Sequence, residues 1–308
     1  MTLHRASGRW RLGLALSLFT AACWATLPVV LKLMLEVIDP ITLTWFRFLV
    51  AALLTGTWLA ARGGLRGWQL PPRGWAMLLL AGVMLLGNYV FYLLGVDRTT
   101  PGNAQLLIQL APLLMALGGI VVFGERFRAA QWAGLGLLAS GMVLFFLDQL
   151  RASMHAPGYV QGAVLVVVAA IVWAVYALLQ KQLLMRLTSM QVLVAIYVIA
   201  ALALWPFAHP SALRTLDGVH LALLGFCALN TVGAYGAFAE ALAHWDASRV
   251  SAILALTPLL CIGVAMAMAS IWPDLLAPER IAPMGWLGAA MVMAGSAAVS
   301  LLGRKRVA

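Results

Sequence analysis

Two glutamines and a proline lie on neighbouring turns of an otherwise apolar stretch, GNAQLLIQLAPLLMALGG, at residues 102–119. Gln105 and Gln109 are four residues apart, so they share one face of a helix. Pro112 has no N–H, so the carbonyl group of Ile108 loses its usual helical partner and becomes a free acceptor. Unpaired amides are costly in hydrocarbon. We therefore expect this face to line a hydrated cavity at a helix kink; hydrogen bonding between helices is the alternative.

Aromatic and amide side chains in other apolar stretches could bind a small solute. Tyr89 and Tyr92 are three apart and share a helix face, as do Trp173 and Tyr176. Trp24 and Trp173 lie near the middle of their apolar stretches, away from water, so each indole N–H needs an acceptor within the protein. Packing is the alternative for the tryptophans, and anchoring at the membrane interface for Tyr92. The candidate substrate-binding residues are Trp24, Asn88, Tyr89, Tyr92, Gln105, Gln109, Trp173, Tyr176 and Tyr235.

Charged residues within apolar stretches are functional candidates in a membrane. Glu240 and His244 are four apart and can pair along one helix face, where they could couple transport to protons. The alternative is a carboxylate in the headgroup layer. Lys32, near a helix end, is expected to extend to the interface as an anchor. Arg47 is expected to form a structural ion pair or to attract a carboxylate.

Motifs for catalysis, cofactors and metals are absent from the sequence. It has no P-loop, no G-x-G-x-x-G after a strand, no H-E-x-x-H and no C-x-x-C. Cys23, Cys227 and Cys261 lie in apolar runs without metal-ligand spacing, so we interpret them as small hydrophobic residues. We expect neither an enzyme nor a bound cofactor or metal.

Composition places these residues in a membrane. The chain of 308 residues is 64% hydrophobic and 10% charged, which leaves too few charges to cover a soluble core. Long apolar runs separated by prolines predict an all-α membrane protein. The ten predicted spans are 12–35, 42–61, 74–95, 103–123, 130–148, 158–180, 190–207, 217–242, 249–271 and 283–302.

The basic residues predict how the chain is oriented. The net charge of +10 could indicate nucleic acid, but the lysines and arginines lie in short loops, so we expect no nucleic-acid partner. Most of the 20 lysines and arginines fall in loops on the side of the N-terminus. This bias predicts a bacterial-type inner membrane protein with both termini in the cytoplasm. Four acidic residues at span ends are expected to be solvated loop charges: Asp97, Glu125, Asp148 and Glu279. Glu125 and Glu279 each precede an arginine, so a structural contact that fixes the loop is the alternative for these two.

The two halves of the sequence repeat each other. Trp24-Ala25 with Lys32 matches Trp173-Ala174 with Lys181, and APLL at 111–114 matches TPLL at 257–260. A third block, Trp132, Gly134 and Gly141, matches Trp286, Gly288 and Gly295. The halves are 1–152 with the first five spans and 153–308 with the last five. Because five is odd, the second half enters the membrane from the opposite side. Pro112 and Pro258 are then equivalent kinks.

A family resemblance follows from these motifs. The paired W-A-x(6)-K segments, APLL and TPLL, the segments GERF and PERI, and DPITLTWFRFLVAALL on the second span together resemble the EamA-type transporters of the drug/metabolite transporter superfamily. The resemblance covers nearly the whole chain. It implies a ten-helix carrier with a central cavity between two inverted halves, and export of amino acids, drugs or other small metabolites.

We therefore predict a secondary active transporter working by alternating access, with a small-molecule substrate and the lipid bilayer as partners. A membrane-embedded enzyme or a lipid-handling protein on the same ten-helix scaffold is the alternative, and a small channel is a third hypothesis. Gly118 and Gly119 permit close helix contacts within one chain or between two, so a homodimer is left open.

Overall fold

The structure is a computed structural model, and it describes residues 9–64, 68–123, 127–153, 157–244, 250, 253–254, 256–273, 276 and 281–301. The regular elements in these ranges are all helical, which confirms the prediction of an all-α protein. The α-helices are α1 (Trp10–Met34), α2 (Pro40–Ala61), α3 (Pro72–Arg98), α4 (Pro101–Leu107), α5 (Leu110–Phe123), α6 (Ala129–Ser153), α7 (Tyr159–Leu183), α8 (Ser189–Leu204), α9 (Gly218–His244), α10 (Thr257–Ile271) and α11 (Pro283–Leu301). Two short 3-10 helices, Trp205–Phe207 and Pro210–Thr215, connect α8 to α9.

Membrane-length helices account for much of the chain. In the described ranges, seven helical segments are long and apolar enough to cross a membrane: Trp10–Met34, Pro40–Ala61, Pro72–Arg98, Ala129–Gln149, Tyr159–Gln180, Ser189–Phe207 and Gly218–Phe238. These seven correspond to predicted spans. The other three predicted spans, 103–123, 249–271 and 283–302, coincide with divided or shorter helices.

Polar residues and prolines fix where several helices begin. Asp39 precedes α2, and its carboxylate accepts a hydrogen bond of 2.9 Å from the Thr42 N–H. Pro40 follows at the first helical position, where its missing N–H has no partner to lose. Before α8, Thr188 and Gln191 form a capping box that satisfies two free N–H groups. These caps explain why the boundaries could be read from the sequence.

The fourth predicted span is divided at Ile108 and Gln109. The Gln109 N–H donates to Leu106 O over 3.1 Å, and the Ala111 N–H donates to Ile108 O over 2.9 Å. These are i→i−3 bonds, so the chain forms a tighter turn that ends α4 before Pro112. The expectation of a free carbonyl at Ile108 is therefore wrong, because the chain rearranges to give it a donor. Pro112 then lies in the first turn of α5.

Glycines allow α6 and α11 to pack closely. A Cβ atom at Gly141 would lie 2.7 Å from Gly288 O, and one at Gly295 would lie 2.6 Å from Gly134 O. Gly134 therefore faces Gly295 and Gly141 faces Gly288, which requires the two helices to run antiparallel. Backbones approach this closely only at small residues.

Further helix pairs enclose the rest of the core. α3 packs on α7, α1 on α9, and α2 on α8, and smaller contacts join α2 to α9 and α3 to α8. Lys32 on α1 reaches the C-terminal end of α3, where its ammonium donates to the carbonyl oxygens of Val96, Asp97 and Thr99. The predicted interface anchor is thus also a bond between two helices.

The acidic residues at span ends differ from one another. Asp97 is exposed, as expected. Asp148 at the end of α6 is only 6% exposed, so its prediction as a solvated charge is wrong. Its Oδ2 accepts hydrogen bonds from Gln149 Nε2 at 3.1 Å and from the Ala282 N–H at 3.3 Å, because the segment before α11 folds over it. Glu125 and Glu279 lie outside the described residues.

Candidate functional site

A buried arginine lies where helices from both halves of the sequence meet. Arg47 on α2 is 4% exposed, and its Nε donates a hydrogen bond of 3.1 Å to Thr231 Oγ1 on α9. Its guanidinium carbon is 4.8 Å from the centre of the Tyr89 ring on α3, a cation–π distance. Arg47 is seven residues into α2, so at 1.5 Å per residue it lies about 10 Å inside that helix.

Tyrosines surround this arginine. The Tyr89 hydroxyl lies close to the hydroxyls of Tyr235 and Thr231 on α9, and Phe48 packs on the Tyr89 ring with centroids 4.6 Å apart. Tyr176 of α7 and Tyr197 of α8 are buried in the same core, at 2% and 1% exposure. We call the following set the central cluster: Arg47, Phe48, Tyr89, Tyr176, Tyr197, Thr231 and Tyr235.

The two predicted tryptophans lie beside the central cluster. The Trp24 ring is edge-on to Tyr235 with centroids 5.7 Å apart, and it also contacts Phe238 at 5.6 Å. Trp173 packs against Tyr176 with centroids 6.4 Å apart. Both tryptophans are half-buried, and neither indole N–H has an acceptor among the described residues. The structure thus brings together five of the nine candidates: Trp24, Tyr89, Trp173, Tyr176 and Tyr235.

The two glutamines differ in their surroundings. Gln105 on α4 accepts a hydrogen bond of 2.9 Å at Oε1 from the Tyr92 hydroxyl on α3. For Gln105, this contact corresponds to the alternative in which the amide bonds one helix to another rather than lining a hydrated cavity. The Gln109 amide, in the turn between α4 and α5, is half-buried and bonds to none of the described residues. Its two donors and its acceptor are available to water or solute.

Asn88 has a structural contact. Its Nδ2 donates a hydrogen bond of 2.9 Å to the carbonyl oxygen of Ala169 on α7, and the side chain is 7% exposed. On the opposite helix pair, Asn230 Nδ2 donates to Cys23 O on α1 over 2.9 Å. Each amide thus bonds two helices together. A role for Asn88 in solute binding stays a prediction.

Glu240 and His244 pair with each other away from the central cluster. His244 Nε2 is 2.9 Å from Glu240 Oε1, and 61% of the glutamate side chain is exposed. The pair lies near the C-terminal end of α9, five residues or more beyond Tyr235. This exposure fits the headgroup-layer interpretation, and the coupling role stays a prediction.

The central cluster contains residues that sequence reasoning did not select. Thr231 and Tyr197 are not among the residues that the sequence predicts, and for Arg47 it predicts either a structural ion pair or attraction of a carboxylate. No carboxylate among the described residues lies within 4.0 Å of Arg47. An arginine inside an apolar run was the available signal. The described part of the chain also has no group of three or more histidine, cysteine or acidic side chains arranged to hold a metal.

An aromatic, positively charged core inside helices of membrane length is a site typical of a transport protein. The model of the EamA-like transporter family matches residues 11–147 and again residues 160–301. The chain therefore belongs to the EamA-like transporter family. Membership indicates a transporter rather than an enzyme.

Individual relatives agree with this family. The chain is 37% identical over 288 residues to the "Uncharacterized inner membrane transporter YhbE" of Escherichia coli, covering 92% of this chain and 90% of that protein. It is 30% identical over 303 residues to the "Probable terminal-alkyne amino-acid exporter" of Streptantibioticus cattleyicolor, covering 94% of each. A solved crystal structure of a protein, 22% identical, overlays with a TM-score of 0.63 and covers 97% of this chain and 98% of that one, so the two share a fold.

Proposed function

We propose that this protein is a secondary active transporter that exports a small metabolite of the amino-acid kind from a bacterial cytoplasm. Two inverted five-helix repeats, 1–152 and 153–308, enclose a central site and expose it to each side of the inner membrane in turn. Both termini are in the cytoplasm. The observation that carries the proposal is the central cluster, in which buried polar side chains from both halves meet inside helices of membrane length.

The inverted repeat is supported by how the helices pair. In the proposed repeat, α1 corresponds to α7 and α3 to α9. The packing of α3 on α7 then has its counterpart in the packing of α9 on α1. The family model also matches the chain twice, once in each half.

The glycines of α6 and α11 support the same symmetry. Gly134 corresponds to Gly288 in the repeat, and Gly141 to Gly295. Gly134 contacts Gly295 and Gly141 contacts Gly288, so each glycine meets the counterpart of the other. A two-fold axis in the membrane plane produces this exchange, and it passes between the two helices.

The chemistry of the site favours an amino-acid-like solute. Arg47 supplies a positive charge, the tyrosine and threonine hydroxyls supply hydrogen-bonding groups, and Trp24 and Trp173 provide apolar walls. One relative carries the name of an amino-acid exporter. Such a site suits a zwitterionic or amphipathic molecule, since few polar groups are needed to orient a ligand within apolar walls.

Alternating access requires contacts between the halves that can break. The Arg47–Thr231 hydrogen bond and the contact of Trp24 with Tyr235 both connect the first half to the second. The first is a single hydrogen bond and the second a single contact between two rings, so each can break without unfolding a helix. Rearrangement of α1, α2 and α9 within the bundle would separate these residues and open the site on one side, while the glycine packing of α6 on α11 is kept.

The test is counterflow in proteoliposomes. Vesicles containing the purified protein are loaded with an unlabelled amino acid or drug-like compound, and uptake of the labelled compound is measured. At least one amino acid should give counterflow that empty vesicles lack. Trp24→Ala should slow it at least about tenfold because it removes a wall of the site. Trp132→Ala should retain it because Trp132 is 50% exposed on the outer face of α6. An absence of flux for the whole panel, with folded protein, would overturn the proposal.

A further inference from the structure

Most N–H groups of the Arg47 guanidinium make no hydrogen bond to a residue that the structure describes. A guanidinium has five N–H donors, and here Nε–H bonds to Thr231 Oγ1. The N–H groups on Nη1 and Nη2 bond to none of the described residues, although the side chain is only 4% exposed. Among the described residues no ion pair involves Arg47, and a buried cation without a counter-charge is strongly unfavourable, so the stability of this part of the fold does not explain the arginine.

The outer edge of the guanidinium, at Nη1 and Nη2, makes no hydrogen bond to a described residue. Tyr89 lies against its face and Thr231 holds Nε, so both contacts fix the plane of the group without using Nη1 or Nη2. Two parallel N–H groups on a fixed plane match the two oxygens of a carboxylate. A primary amide should bind there more weakly, because it has one acceptor oxygen, no charge and an NH2 group that faces a second donor. An ammonium has only donors and repels the guanidinium.

Further unpaired polar groups lie around the same point. The hydroxyls of Tyr176 and Tyr197 make no hydrogen bond to a described residue, although both side chains are almost fully buried. Buried hydroxyls normally have partners. In the described part of the chain, a cation and two hydroxyls thus lie in one core without a hydrogen-bond partner for Nη1, Nη2 or either hydroxyl, as in a polar ligand site.

We propose that Arg47 binds the carboxylate of the transported solute and so selects for acids over their amides and amines. This inference rests on the proposed function, since it assigns the charged group that the central cluster recognises. Tyr89 and Thr231 are positioning residues that hold the guanidinium in its plane. The solute enters with its carboxylate at Arg47 and its side chain among Trp24, Trp173 and Tyr176.

The first experiment needs no variant. Counterflow of labelled L-leucine, L-phenylalanine and L-threonine is inhibited with the unlabelled amino acid or with its primary amide: leucinamide, phenylalaninamide or threoninamide. Each transported amino acid should inhibit its own counterflow about 10- to 100-fold better than its amide, the ratio expected for a charge-assisted pair of hydrogen bonds. Equal inhibition by acid and amide would overturn the role of Arg47 while leaving the transport function intact. No counterflow of any amino acid would instead contradict the proposed function.

Variants then connect the selectivity to Arg47. Arg47→Gln should abolish the preference for acid over amide, and Arg47→Lys should retain part of it because it keeps the charge but not the fork of donors. Arg214→Gln is the matched control: it removes an exposed arginine between α8 and α9, outside the central cluster, so the preference should persist. If Arg47→Gln does not fold, the role of Arg47 is tested with Arg47→Lys and with the inhibition of wild-type counterflow by acid and amide. Unchanged preference in a folded Arg47 variant would overturn the proposal.

Discussion

The Lys32 ammonium donates a hydrogen bond of 3.0 Å to the carbonyl oxygen of Val96 and so joins the end of α1 to the end of α3. It also donates to Asp97 O and, over 3.1 Å, to Thr99 O. These carbonyls belong to the last turn of α3 and the residue that follows, where intrahelical donors are lacking. A cation at a helix C-terminus also interacts favourably with the helix dipole. Lys32 is therefore a C-terminal cap supplied by another helix.

Replacing this lysine should destabilise the protein. Lys32→Met keeps the apolar stem and removes the three hydrogen bonds, so we expect a loss of about 1–3 kcal/mol in the free energy of unfolding. The measurement is thermal unfolding of the detergent-purified protein. Arg214→Met removes the same charge from an exposed side chain between α8 and α9 and should leave the melting temperature unchanged. Equal effects of both substitutions would show that net charge, rather than the cap, is responsible.

The glycine contact between α6 and α11 provides a second prediction. Gly141→Ala places a Cβ atom 2.7 Å from Gly288 O, and the helices must separate to accept it. We expect a cost of about 1–3 kcal/mol, as for overpacking of a core. On the same helix, a Cβ at Gly136 meets nothing within 4 Å, so Gly136→Ala should be neutral or stabilise by about 0.5–1 kcal/mol. Thermal unfolding of both variants checks this, and a reversed order would contradict the close packing.

Much of the helical layout could be predicted from local sequence signals. Pro40 after Asp39, and Pro101 after Thr100, combine a side-chain cap with a residue suited to the first turn, so helix boundaries followed within a few residues. A cap and the N–H group that it binds lie within one helical turn of each other, so the pair can be recognised in the sequence. Pro112 likewise indicated where the fourth span is interrupted, although not that Ala111 would satisfy the carbonyl of Ile108.

The central cluster could be predicted only in part. The aromatic candidates were found because tryptophan and tyrosine in the middle of apolar runs are uncommon and need partners. Arg47 and Thr231 are 184 residues apart, so no periodicity connects them. Asp148 shows the same limit, because its donor at Ala282 is 134 residues away. Long-range pairing depends on how the two halves pack, which a single sequence does not display.

A cap at the start of α9 predicts a dependence of stability on pH. Asp217 Oδ1 accepts a hydrogen bond of 2.8 Å from the His220 N–H, and this bond and the His220 side chain lower the pKa of the carboxyl from its usual 3.8. Because the folded-state pKa is depressed, the stabilisation is fully present above the unfolded-state pKa and is lost as the pH falls through the lower folded-state pKa. Asp217→Ala should therefore lower the melting temperature at pH 7, and the difference from wild type should shrink below about pH 4.

Asp217→Asn separates the cap from the charge. The asparagine keeps an acceptor oxygen for the His220 N–H, so it should restore part of the stability at pH 7, and its difference from Asp217→Ala should not vary with pH. A difference between wild type and Asp217→Ala that stays constant down to acid pH would contradict the ionised cap.

The Gln109 amide should be accessible to water-soluble reagents from within the protein. It is half-buried and bonds to none of the described residues, in the turn between α4 and α5. In a background without the three native cysteines, Gln109→Cys should react with a hydrophilic thiol reagent, and a transported amino acid should slow the reaction. Val121→Cys is the control, since Val121 is 83% exposed on α5 and should react only with a lipid-soluble reagent. A Gln109→Cys protein that behaves like the control would show that this face meets lipid rather than a hydrated site.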